Sequence, residues 1–200
     1  MRAESIVFAV AGMCFGVILG WVIASQQQTR EAAAPSPPTQ ATPAAAERQP
    51  PALDEARVQQ LMATVKNEPR NIEALSQLAN TYFDAERWDD AIQWYERAVA
   101  VNPNDPNIST DLGVSYYYTN RTDEALAQFE KSLQVDPKHT KTLLNKGIVL
   151  AFGRQDLAAA AEEWKKVVTL APDSPEGQAA RRALEGVAAA HARQEGSATP

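Results

Sequence analysis

The chain has 200 residues, 44% hydrophobic and 22% charged, with 25 acidic against 19 basic side chains and a net charge of −6. Arg2, Arg30 and Arg48 balance Glu4, Glu31 and Glu47 in residues 1–52, so the whole excess negative charge belongs to the remainder. A domain of that sign is a poor match for nucleic acid, which is not expected as a partner, or for an anionic membrane surface.

The first element is Ser5 to Ser25, a run of 21 residues without a charge. It is long enough to cross a hydrocarbon core of roughly 30 Å as a helix. A cleaved signal peptide is the competing reading, with Val22-Ile23-Ala24 before Ser25 as its cleavage site. Such a signal has a shorter apolar region behind a basic segment, whereas only Arg2 precedes this run and Glu4 offsets it, which favours an uncleaved anchor over residues 1–25. The positive-inside tendency then keeps the N-terminus in the cytoplasm and puts the rest of the chain outside it, in a bacterial cell the periplasm. The only cysteine, Cys14, lies within this apolar run, where a lone thiol packs inertly. Gly12, Gly16 and Gly20 recur every four residues on one face of the predicted helix. They either let two anchors pack closely as a homodimer or reflect the ordinary abundance of glycine in membrane helices.

Residues 26–52 read as a disordered linker, with Pro35, Pro37, Pro38, Pro43, Pro50 and Pro51 set among alanine, serine and threonine. An amphipathic helix follows in 53–71, with Val58, Leu61, Met62 and Val65 on one face before Glu68-Pro69. Beyond it a 34-residue period takes over: Tyr82 and Tyr116, Ala91 and Ala125, Tyr95 and Phe129, and Pro103 and Pro137 are each 34 apart. Residues 72–105 carry apolar or small residues at Leu75, Leu78, Ala79, Tyr82, Ala91, Tyr95 and Ala98, a three-to-four-residue period interrupted near Asp84 to Asp89, which predicts two amphipathic helices and a tight turn. Residues 106–139 repeat this with Leu112, Gly113, Tyr116, Ala125, Phe129 and Ser132. Residues 140–173 do so with Leu143, Gly147, Leu150, Ala160, Trp164 and Pro172, and hold one extra residue, expected in the Phe152 to Asp156 turn. Ala79, Gly113 and Gly147 would let the helices of each pair approach closely. Ser174 and Pro175 start a last helix, 174–193, with Ala180, Leu184 and Val187 inward, before a tail at 194–200. Flanking helices are expected to cap the ends of such a stack.

This pattern of Leu-Gly, Tyr, Ala, Phe and Pro resembles the tetratricopeptide repeat family over residues 72–173, with Leu75, Ser109 and Leu143 where the family has Trp, Lys146 in place of the Leu before Gly147, and Val167 for an Ala. The resemblance implies an all-α solenoid of about three repeats that binds a protein or peptide partner in a concave groove lined by the first helix of each pair. Carried onto this chain, the groove comprises Glu73, Ser76, Asn80, Phe83 and Asp84, then Asn107, Thr110, Val114, Tyr117 and Tyr118, then Lys141, Leu144, Ile148, Ala151 and Phe152. It grades from polar to apolar, with Tyr117, Tyr118, Leu144, Ile148 and Phe152 as an anchor for a peptide. The clamp that holds carboxylate tails needs a basic residue beside paired asparagines, and only Asn80 fits. The stretches Leu61 to Tyr82 and Trp164 to Pro175 look like the repeat domains that hold apocytochrome for haem attachment. A third reading is a structural, self-associating component of a membrane assembly.

Nothing in the chain resembles catalytic machinery. His139 and His191 lie apart, and there is no His-Glu-xx-His, no glycine-rich phosphate loop, no Gly-x-Ser-x-Gly and no Cys-xx-Cys-His. The pairs Asp89-Asp90, Glu162-Glu163, Lys165-Lys166 and Arg181-Arg182 read as solvated helix faces. The expectation is a single-pass, membrane-anchored adaptor without enzymatic activity or cofactor.

Overall fold

A computed structural model describes residues 50–197 of the chain. The predicted anchor with Gly12, Gly16 and Gly20, the linker up to residue 49 and the last tail residues lie outside the described residues. Within them the fold is all-α: α1 Glu55–Asn67, α2 Ile72–Asp84, α3 Trp88–Val101, α4 Pro106–Tyr118, α5 Thr122–Val135, α6 Thr140–Gly153, α7 Leu157–Leu170 and α8 Pro175–Ser197. None of the helices among the described residues is long and apolar enough to cross a membrane.

The starts of these helices are set by side chains that accept from otherwise unsatisfied backbone N–H groups. Asp54 accepts from the amide of Arg57, Asn71 from Ala74, Asp105 from Asn107 and Ile108, Asp156 from Ala159, and Ser174 from Gly177. Pro106 and Pro175 occupy first-turn positions, where a missing N–H costs nothing. α3, α5 and α6 lack such caps, and α3 and α5 are started by their turns instead. Arg87 N–H donates to the Tyr82 carbonyl at 2.9 Å and Arg121 N–H to the Tyr116 carbonyl at 2.8 Å. Each guanidinium then lies over the ring of the same tyrosine, at 5.2 and 4.3 Å, so one arginine closes the hairpin twice.

The hairpin turns also share one residue in the left-handed region: Glu86 (φ 57°), Asn120 (φ 61°) and Gln155 (φ 57°). The third turn is wider. Arg154 N–H reaches back five residues to the Val149 carbonyl at 3.1 Å, and Asp156 N–H bonds to Leu150 at 2.9 Å. The extra residue of the third unit is thus absorbed after Leu150 as one enlarged helical turn, leaving the preceding residues in register.

Consecutive helices pack against one another, and α4 also meets α6, as α6 meets α8. The glycines explain how closely the pairs approach. A Cβ built on Gly113 would sit 2.5 Å from the Phe129 ring, and one on Gly147 2.3 Å from Trp164. The apolar interior forms two clusters. One runs from Val58, Leu61 and Val65 through Leu75, Leu78, Tyr95 and Phe129 to Val149. The other gathers Leu143, Ala160, Trp164, Val167 and Ala180, with Leu184 and Val187 of α8 packed on it. Met62, expected on the buried face of α1, is 42% exposed, because that face is narrow enough to be filled by Val58, Leu61 and Val65 alone.

Polar groups of interior residues join helices within the second unit and between it and the third. Thr110, Ser132 and Thr142 are fully buried and meet through their hydroxyls, Thr110 to Thr142 at 2.6 Å and Ser132 to Thr142 at 2.8 Å, with Thr110 and Ser132 donating to the Pro106 carbonyl. Ser109, at a position where the family has Trp, is buried and accepts from Gln128 Nε2 at 2.8 Å. The reading of Glu162-Glu163 as a solvated pair holds for Glu162 only. Glu163 is buried, because Lys146 Nζ sits 2.8 Å from it and 2.6 Å from Glu130, bridging α5, α6 and α7, while Lys166 adds a third contact at 2.8 Å.

Candidate functional site

The first helices of the pairs bring the predicted groove residues to the structure in three different states. Glu73, Ser76, Asn80 and Asn107 line one depression between α2 and α4, with Ile72, Tyr95, Asn102, Asp105, Ile108 and Asp111. Here Tyr95 Oη donates to Asn80 Oδ1 at 2.5 Å. Burial, and after it the neighbouring Asp111 and Asp84, raises the Tyr95 phenol far above its ordinary value, so it stays a donor. With its oxygen engaged, Asn80 presents its amide N–H groups to the depression. Burial also pushes the Asp111 carboxyl up, against the pull of Lys141, whose ammonium is 2.6 Å away.

A second group forms an aromatic edge where the hairpins turn. Phe83 stacks on Trp88 at 5.8 Å, and Tyr118 meets Trp88 edge-on at 4.7 Å and Phe83 at 5.9 Å. Such ring pairs add roughly 0.5–1.5 kcal/mol each beyond their burial. Tyr118 nevertheless remains 55% exposed and Phe152, at the equivalent place on α6, 58%. Asp84 is exposed at the same end of α2.

The third group is turned inward. Thr110 is removed from the predicted groove: it is fully buried in the hydroxyl cluster, because its neighbours on α5 and α6 are Ser132 and Thr142 rather than apolar residues. Ala151 is likewise buried. Val114 and Tyr117 are half-buried against the first core cluster, Leu144 and Ile148 against the second. The five-residue apolar anchor therefore reduces to Tyr118 and Phe152 as exposed members. Trp88 was not among the predicted residues; it begins α3, where the equivalent residue of the next unit is Thr122, so no repeat pattern marks it.

His139 lies at the margin of this face. Its Nδ1 is 2.6 Å from the Thr142 hydroxyl and its Nε2 3.2 Å from Asn107 Oδ1. Burial lowers its pKa, aided by Lys141 and opposed by Asp136, Asp105 and Asp111. A depressed histidine pKa favours the neutral ring in the folded state. Its contribution is therefore complete above the unfolded value near 6.5 and is lost as pH falls through the lower folded value. Between pH 7.5 and pH 5, urea midpoints of the native chain should fall further than those of His139→Asn; equal shifts would show that the ring carries no linkage.

This stack of antiparallel helical hairpins, with first helices exposing a mixed polar and aromatic face, defines the class of helical-repeat proteins. Family models described as tetratricopeptide repeat match residues 70–138 and 110–175, so the chain belongs to the tetratricopeptide repeat family through the larger part of its length. No curated protein matches the chain. Among solved structures, the first such domain of Spaghetti (RPAP3) bound to the HSP90 peptide SRMEEVD is similar at 23% identity and TM-score 0.54, covering 60% of this chain and 93% of that one. MamA is similar at 15% identity and TM-score 0.55, covering 69% and 88%. The type III secretion translocator chaperone SycD of Yersinia enterocolitica is similar at 18% identity and TM-score 0.56, covering 60% and 93%. At these identities the likeness is one of fold.

Proposed function

We propose that this protein is a non-catalytic adaptor that takes a peptide or extended segment of a partner protein along the exposed face of α2, α4 and α6, and that residues 1–25 hold it in a membrane with the repeats outside the cytoplasm. The observation that carries the reading is the depression in which Glu73, Ser76 and Asn80 of one unit converge with Asn107 and Asp111 of the next. A composite pocket across a repeat junction, with an aromatic edge at one end, suits a ligand that runs across the units. Its chemistry selects the sign of the ligand. The peptide seen with the RPAP3 domain carries acidic residues, whereas carboxylates of Glu73, Asp105 and Asp111 line this depression and, among the described residues, only Asp111 of the three has an ion-pair partner, in Lys141. A lysine or arginine side chain with an apolar neighbour fits best. The apocytochrome-holding reading is a narrower form of this proposal, and self-association through Gly12, Gly16 and Gly20 would add to it rather than replace it.

The test is selection of displayed random peptides on the full chain. Enrichment of basic peptides is expected, with at least about tenfold weaker binding by Glu73→Lys and by Tyr118→Ala, each measured well below its own melting transition because Tyr118→Ala also gives up two ring contacts. Enrichment of acidic peptides, or binding indifferent to both changes, would refute the reading.

A further inference from the structure

We infer that His139 makes the binding of a basic side chain in the depression between α2 and α4 pH-dependent, so that acidification releases the ligand. The inference rests on the partner-binding reading above and adds the regulation of that same site.

His139 stands half-buried in the turn before α6, at the joint between the second and third units. Its Nε2 faces Asn107 Oδ1 at 3.2 Å, and Asn107 lines the depression together with Asp105 and Asp111. A ring nitrogen that faces a carbonyl oxygen carries the proton, so Nδ1 of the neutral ring is left to accept from the Thr142 hydroxyl at 2.6 Å. A single side chain, Asn107, therefore links the ring to the space a ligand would fill. That space has a second mark of a binding site besides its carboxylates. Ser76 lines it, and the Ser76 hydroxyl oxygen is buried without a hydrogen-bond partner among the described residues.

The ring can take up a proton where it stands. Once protonated, Nδ1 donates to Thr142 Oγ1 instead of accepting from it. Thr142 then turns its own proton to Thr110 Oγ1 or Ser132 Oγ, at 2.6 and 2.8 Å. Both of those hydroxyls donate to the Pro106 carbonyl and keep lone pairs free to accept. Neither ring nitrogen loses its partner, so the charge arrives without displacing the imidazole.

The charged groups that act on the ring are Asp105 and Asp111 from α4 and its cap, Asp136 at the end of α5, and Lys141 on α6. Asp105 and Asp111 also belong to the depression. An imidazolium here competes for the carboxylates that attract the ligand and repels the ligand's own cation. Burial holds the His139 pKa below its ordinary value near 6.5, so the ring is uncharged at neutral pH and gains its charge only in mild acid. Linkage makes the coupling reciprocal: a bound cation lowers the His139 pKa further, by the same free energy.

Nuclear magnetic resonance of the full chain reads both sides of this coupling, with acetyl-Lys-Leu-Lys-amide as the probe and acetyl-Gln-Leu-Gln-amide as its uncharged control. Between pH 7.5 and pH 5 the affinity for the lysine peptide should fall about threefold more in the native chain than in His139→Gln, the size expected for a screened pair of charges. The variant subtracts the part of the pH dependence that comes from the carboxylates, among them Asp111, whose pKa burial raises. In the native chain the imidazole signal assigned to His139 should titrate at lower pH with the lysine peptide bound, and at an unchanged pH with the glutamine peptide. Equal pH dependence in the native chain and His139→Gln overturns the inference, as does a His139 pKa that saturating lysine peptide leaves unmoved. Either result leaves the basic-ligand reading standing. Equal binding of the two peptides at pH 7.5 overturns that reading, and the inference with it.

Discussion

Alanine at Gly147 is expected to destabilise the fold by about 1–3 kcal/mol, the usual cost of forcing volume into a packed core. The new methyl carbon would meet Nε1 and Cδ1 of Trp164 at 2.3 and 2.6 Å. That ring cannot swing away, since it is 2% exposed and its N–H donates to the Leu144 carbonyl at 3.2 Å. Gly113→Ala should behave alike against Phe129, with one difference that separates packing from helix propensity. Phe129→Leu shortens the obstructing side chain, so the Gly113→Ala, Phe129→Leu double variant should lose less than the sum of the single losses. Chemical denaturation of the four proteins measures this coupling. Alanine is intrinsically the better helix former by roughly 1 kcal/mol. A rise in stability for Gly147→Ala would therefore mean that α6 and α7 stand further apart than described.

The second large effect belongs to Lys146. Its ammonium is held between Glu130 and Glu163, and Glu163 is buried with Lys166 as its other partner. Removing one partner of a buried pair typically costs about 3–5 kcal/mol; because Glu163 keeps Lys166, Lys146→Ala should fall near the bottom of that range. Burial by itself raises the Glu163 carboxyl, but the hydrogen bonds from Lys146 and Lys166 more than offset it, and the net pKa is lowered. A lowered carboxylate pKa gives stability that is present above the unfolded value near 4.5 and disappears as pH falls through the folded one. For Lys146 burial pulls the pKa down, and the two glutamates overcome it, so the net shift is upward. Its contribution is complete below the unfolded value near 10.5 and fades as pH rises past the folded one. The deficit of Lys146→Ala relative to the native chain should therefore be widest between these limits and shrink below pH 4. A deficit independent of pH would assign the loss to the packing of the lysine stem instead.

The hairpins and their two-cluster core were legible because they depend on residues whose burial is the period itself. Leu75, Leu78, Ala79, Ala91, Tyr95, Ala98, Ala125 and Phe129 are all buried, and each stands on the 34-residue lattice or a helical step from it. Polar residues on the same lattice were less legible, since their fate depends on what faces them across a helix pair. Thr110 sits at the register of Ser76 and Leu144, and only the meeting of Ser132 and Thr142 in space takes it inside. Glu163 reads as a surface residue until Lys146, a departure from the family pattern on another helix, is seen to reach it. Trp88 escaped for the opposite reason, as a large ring with no counterpart in the neighbouring units.

The hydroxyl cluster between the second and third units bears on how the array could have grown. One unit earlier, the positions of Thr110, Ser132 and Thr142 are held by Ser76, Ala98 and Ile108, and one unit later the first two are held by Leu144 and, past the extra residue, Val167. A copy of the second unit placed third would bring isoleucine against two hydroxyls. A copy of the first would bring Ala74 and leave the space of a threonine side chain unfilled. The units share a period yet are not exchangeable. Lengthening this protein by duplication requires rewriting the joint as well, so neighbour identity is inherited along with the fold.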